Sequence, residues 1–73
     1  MTEREIQRFI TYKLVEAREK NLITQRQLSK LSGVTQSKLS RIENGRRNIR
    51  VFELYILSKI LKKSITFFFP KTK

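Results

Sequence analysis

Apolar residues recur at helical spacing along most of the chain. Between Thr2 and about Lys20 they fall at Ile6, Phe9, Ile10, Leu14 and Ala17, the seam of a first helix. Thr2 with Glu5 forms a capping box at its start, and Glu3 and Glu5 stand where the helix dipole favours acids. Asn21-Leu22-Ile23 is a connection, with Leu22 or Ile23 stapling it to the core. A second helix opens at Thr24, boxed with Gln27, and its inward residues are expected to be Leu28 and Leu31. Gly33 then interrupts the pattern where the chain must turn, which a residue without a Cβ does at least cost, and Val34 plugs the turn from below. Thr35 offers a hydroxyl cap for a third helix whose apolar positions, Leu39 and Ile42, share one face.

The pattern changes after residue 50. From Val51 to Leu61 apolar side chains occupy more than one face, too many for one small core, so part of this fourth helix is expected to meet a second subunit. Lys62 and Lys63 end it with favourable charge, and Ser64 caps a last short helical turn running through Phe69 to Pro70. Ile-Thr-Phe-Phe-Phe also has strand propensity, so an edge strand at a dimer interface is the alternative. Tyr55, Ile56, Ile65, Phe67, Phe68 and Phe69 are the expected interface residues, and Lys71-Thr72-Lys73 are expected to fray. No repeat, linker or low-complexity segment divides the chain. It reads as one all-α domain over residues 1–73, with its C-terminal stretch 51–69 serving core and dimer.

At 73 residues, such a domain buries only about 60% of its unfolded surface, so a partner subunit would help it. Without cysteine or histidine there is no disulfide, and the usual zinc ligands are missing. Seventeen lysines and arginines against six acids give a formal charge of +11, which predicts a polyanionic partner. Double-stranded DNA leads, and an anionic membrane surface is the alternative, because basic amphipathic helices also bind lipid headgroups. No apolar run approaches the roughly 20 residues of a spanning helix or forms a signal peptide, so a cytoplasmic protein without membrane association is expected. An enzyme is not expected. There is no histidine or cysteine to act as base or nucleophile and no glycine-rich phosphate loop, and the acids are scattered among basic residues. No metal, nucleotide cofactor or small-molecule ligand is implied.

The third helix carries the candidate chemistry. Gln36 with Ser40, and Ser37 with Arg41, are spaced i,i+4 and form one polar surface opposite Leu39 and Ile42. Glutamine pairs bidentately with adenine and arginine with guanine, while serine donates or accepts, so this face suits the major groove. A solvated polar helix face is the plain alternative. Thr35 is placed to meet a thymine methyl or a backbone oxygen. The following loop, Arg46-Arg47-Asn48-Ile49-Arg50, has three arginines and no acid within it, which favours phosphate contact, and Lys38 adds another such cation.

The run from Thr24 to Gly45 closely resembles the helix-turn-helix of the phage repressor and Cro family, the xenobiotic-response-element type regulators. The resemblance rests on Ser29 where two helices cross, Gly33 in the turn, the apolar set Leu28, Val34, Leu39 and Ile42, and the closing Ile42-Glu43-Asn44-Gly45. It implies a five-helix lambda-repressor-like fold in which Arg18 pairs with Glu43, and in which Gln25 and Asn44 hold the DNA backbone. The chain departs from the family at Arg50, where serine or threonine is usual, and at Lys62, commonly glycine. The implied function is a sequence-specific regulator binding a pseudo-palindromic operator as a homodimer. With no sensor domain in the sequence, control by the protein's own concentration is expected. A phage repressor or Cro-like switch, a restriction–modification controller protein and an antitoxin-type autoregulator all fit. The rival from another class is a basic membrane-surface or general anion-binding module.

Overall fold

In a computed structural model of the chain, which describes residues 1–71, four α-helices and a closing 3-10 turn enclose one apolar core. Helix α1 spans Glu3–Lys20, α2 Gln25–Ser32, α3 Gln36–Glu43 and α4 Val51–Ile60; the 3-10 turn is Ile65–Phe68. The first three helices begin where hydroxyl caps allow. Thr2 Oγ1 accepts the Glu5 N–H at 3.2 Å while Glu5 Oε1 accepts the Thr2 N–H at 2.8 Å. Thr24 and Gln27 repeat the exchange at α2, at 3.0 and 2.8 Å, and Thr35 Oγ1 accepts the Lys38 N–H at α3. Each box satisfies donors that a helix start would otherwise leave unpaired. Gly33 ends α2 with φ 79°.

Helices α1, α3 and α4 end by one shared device. At each, the third residue past the helix donates to the carbonyl five residues back, and the residue before it donates three back. The pairs are Ile23 to Arg18 with Leu22 to Glu19, Arg46 to Arg41 with Gly45 to Ile42, and Lys63 to Ser58 with Lys62 to Lys59. The device needs one residue in the left-handed region, and the three occupants are Leu22 at φ 57°, Gly45 at 74° and Lys62 at 60°. Only one is a glycine. The other two carry a Cβ into a conformation that disfavours it by roughly 1–2 kcal/mol.

The core collects Ile10, Leu14 and Ala17 from α1, Leu28 from α2, Val34, Leu39 and Ile42 around α3, and Leu54, Leu57 and Leu61 along α4. Three sequence expectations need correction, and one open alternative is decided. Leu31 is 63% exposed, because three residues place it about 60° around α2 from Leu28, and a helix of two turns buries only one such position here. Leu22 is exposed, and Ile23 is the residue that packs on the core. The expected fifth helix is a single 3-10 turn, and no strand occurs among the described residues. Phe68 is fully buried in its own chain, which removes it from the expected dimer surface. A 3-10 turn repeats every three residues, so Ile65 and Phe68 share its inner side against α1 and α4. The fraying expected at residues 72 and 73 lies outside the described residues.

No helix is long and apolar enough to cross a membrane among the described residues. The outer face of α4 nevertheless stays apolar, with Val51, Phe52, Tyr55 and Ile56 all exposed.

Lys62→Gly is expected to raise stability by about 0.5–1 kcal/mol. Relief of the left-handed strain exceeds the backbone entropy that glycine adds to the unfolded chain. Thermal unfolding should shift up by a few degrees; an unchanged or lower midpoint contradicts the strain assignment.

Candidate nucleic-acid interface

Helix α3 is held by one face and offers the other. Leu39 and Ile42 are fully buried, while Gln36, Ser37, Lys38 and Arg41 are exposed and Ser40 is half-buried. Ser40 Oγ accepts from Asn44 Nδ2 at 3.5 Å, and the Thr35 hydroxyl is engaged at the helix start. Gln36, Ser37, Ser40 and Arg41 therefore share a surface whose orientation is set by the core beneath it.

The C-terminal end of α3 is clasped to the rest of the molecule. Arg18 of α1 donates from Nε to Glu43 Oε2 at 2.7 Å and from a terminal nitrogen to Glu43 Oε1 at 2.9 Å. Its other terminal nitrogen donates to the Ile23 carbonyl at 2.8 Å. Gln25, the first residue of α2, donates to Glu43 Oε1 at 2.9 Å. Thr11 of α1 adds a hydroxyl bond to the Ile42 carbonyl at 3.3 Å. Two helices thus donate to one carboxylate at the end of a third, and Arg18 ties in the loop at Ile23 as well. Its hydrogen bond to Glu43 raises the pKa of the Arg18 guanidinium above its already high ordinary value, against the opposing effect of burial.

The loop after α3 separates its cations into two kinds. Arg46 and Arg50 present exposed side chains, as do Lys38 and the amide of Asn44. Arg47 does not. Its two terminal nitrogens donate to Glu53 Oε1 and Oε2, each at 3.0 Å, and the Arg50 N–H donates to Glu53 Oε1 at 2.9 Å. Arg47, expected at phosphate, has its guanidinium engaged by Glu53 in this structure. The loop does have an offsetting acid, supplied from the first turn of α4, and Arg47 pins the loop to that helix.

Comparison with known proteins decides the class. The HTH_3 helix-turn-helix family matches residues 14–68. The chain belongs to that family, the Cro/C1-type helix-turn-helix domains. An HTH_3 family transcriptional regulator from Vibrio cholerae superposes on 92% of this chain with a TM-score of 0.85 at 22% identity. The restriction-modification controller protein C.AhdI from Aeromonas hydrophila superposes on 86% with a TM-score of 0.80 at 25% identity. Apo-HppE superposes on 89% with a TM-score of 0.79 at 23% identity. The HTH_3 chain spans 38% of the Vibrio cholerae protein and 36% of HppE, but 96% of C.AhdI. No curated protein matches it by sequence. This is the fold of DNA-binding transcriptional regulators.

Within the HTH_3 domain, the residue that sequence reasoning passed over is Glu53. It is 3% exposed and holds three hydrogen bonds. A signal was present, since Glu53 stands three residues after Arg50, the capping-box spacing, but Arg50 is no usual cap and masked it. Gln7 was also missed; its side-chain oxygen accepts the Ile49 N–H at 3.4 Å and fastens the same loop to α1.

Burial alone would push the Glu53 carboxyl up, but the bonds from Arg47 and from the Arg50 backbone outweigh it and hold the group below the usual carboxylate range. A depressed folded-state pKa stabilises the fold above the unfolded-state value, near 4.5, and that stabilisation is lost as pH falls through the folded-state value. Thermal stability is expected to drop below about pH 4.5. Glu53→Gln should cost roughly 1.5–3 kcal/mol at neutral pH and flatten part of that acid limb. Wild-type and variant melting curves across pH check this, and parallel acid limbs would contradict it.

Proposed function

We propose that this HTH_3 domain is a sequence-specific transcriptional regulator that binds a pseudo-palindromic operator as a homodimer. The observation that carries the reading is the outer face of α3, where Gln36, Ser37, Ser40 and Arg41 share one surface on a helix fixed by Leu39, Ile42 and the Arg18–Glu43 clasp. These four side chains read base edges in the major groove, and Thr35 meets a thymine methyl or a backbone oxygen at the helix start. Lys38, Asn44, Arg46 and Arg50 hold phosphates on either side. Gln25 joins them from the N-terminus of α2, its side chain already oriented by Glu43.

The dimer is supported by the apolar outer face of α4. Phe52, Tyr55 and Ile56 lie at i, i+3 and i+4, with Val51 beside them, and all are exposed in the single chain. Phe69, at 39% exposure, and the half-buried Ile65 and Phe67 belong to the C-terminal segment that packs on α4, and they share the proposed interface. A two-fold through this face sets the α3 helices into successive major grooves, with half-sites about 34 Å apart. Control by the protein's own concentration follows if dimerisation is coupled to operator binding. The likeness to C.AhdI, whose length this chain nearly fills, supports a role of the controller-protein kind.

Arg41→Ala is expected to cost about 1–3 kcal/mol on the operator and to relax preference at one base pair. Arg46→Ala should weaken specific and random duplexes alike and lower the salt slope by about 1. Titrations of both variants against operator and scrambled DNA at several salt concentrations check this. Equal weakening of both duplexes by Arg41→Ala would remove its reading role.

A further inference from the structure

The N-terminal half of α1 and the loop after α3 form the two walls of an open cleft of about 760 Å³. Arg4, Gln7, Arg8 and Thr11 line one wall, and Asn44, Gly45, Arg47 and Asn48 line the other, with Glu3 and Glu43 as the acids. Part of its charge is already committed. Glu43 is taken by Arg18 and Gln25, and Arg47 by Glu53. Arg4 and Arg8 are different. They stand at i,i+4 on one exposed stripe of α1, a like-charge pair that weakens the helix, and neither forms an ion pair among the described residues. Glu5 feels the charge of Arg8, but its carboxylate is bonded first to the Thr2 N–H. The same box occupies the start of α1, so anion binding here falls to side chains and not to helix N–H groups.

We infer that Arg4 and Arg8 form a phosphate-binding site that carries the DNA backbone from the Asn44–Asn48 loop onto α1. The inference rests on the reading of α3 as the base-reading helix. Two unpaired guanidiniums one turn apart are destabilised by each other and stabilised by an anion between or beside them, and each is exposed to receive it. The opposite wall carries Asn44, already assigned to phosphate, so a strand held there lies against the arginine stripe. The contact adds affinity and footprint without sequence information.

The test is the salt dependence of operator binding by the full chain, comparing wild type with Arg4→Gln/Arg8→Gln. Loss of two phosphate contacts should reduce the slope of log K against log salt by about 1.8 per bound protomer, with the preferred base sequence unchanged. Lys62→Gln/Lys63→Gln is the equal-charge control. These lysines sit by the other end of α1, where Asn21 Nδ2 donates to the Leu61 carbonyl at 3.4 Å, and their removal should leave the slope near wild type. Phosphate-ethylation interference should show one or two positions that block wild type but not the arginine variant. An unchanged slope for the arginine variant, or an equal fall in the control, overturns the α1 site while leaving α3 as reader. Wild type that shows no base preference overturns both.

Discussion

The carboxylate of Glu43 is the point on which this molecule's geometry depends. It ends α3 and receives Arg18 through two bonds and Gln25 through a third, while Arg18 also holds the Ile23 carbonyl. Both charged partners are largely withdrawn from water, with side-chain exposures of 13% and 6%. Burying such a pair gains little net stability over an apolar replacement, but removing one partner leaves a stranded charge and typically costs about 3–5 kcal/mol. The pair therefore sets position more than it adds stability. It fixes the angle at which α3 leaves the core, and with it where Gln36 and Arg41 point.

A second clasp repeats the logic on the other side of α3. Arg47 and Glu53 anchor the basic loop to α4, so the exposed cations of that loop are presented from a fixed frame. The chain's excess of 17 basic residues over six acids thus divides into two classes. Arg18 and Arg47 are structural, each bidentate on a buried carboxylate. Most others stay in solvent, where their mutual repulsion opposes folding and a polyanion would relieve it. A core of this size leaves little margin for that repulsion. Hydroxyl capping at the first three helix starts and the shared backbone closure at three helix ends are where the chain recovers local stability.

Much of this was legible in the sequence because it is local. The boxes at Thr2 and Thr24, the Thr35 cap and the turn at Gly33 are each written within a few residues, and helical spacing placed Leu39 and Ile42 inward. The Arg18–Glu43 pair spans 25 residues and entered through family resemblance, not through any spacing. What was illegible depended on tertiary neighbours. Leu31 has the right period, but no element covers it. Phe68 reads as one of three equivalent phenylalanines until a 3-10 turn directs it inward. Arg47 looks like its neighbours Arg46 and Arg50 until α4 brings Glu53 beneath it. The left-handed residues Leu22 and Lys62 gave no warning, since the usual marker, glycine, is absent from both.

The central claim is that α3 reads bases and that two copies read together. Selection from a random-sequence duplex library by the wild-type protein, at low and near-physiological salt, tests it most directly, because salt separates phosphate attraction from base reading. The account predicts an enriched palindrome whose half-sites lie one helical turn apart, retained at the higher salt. Binding that vanishes steeply with salt and enriches no sequence would contradict it.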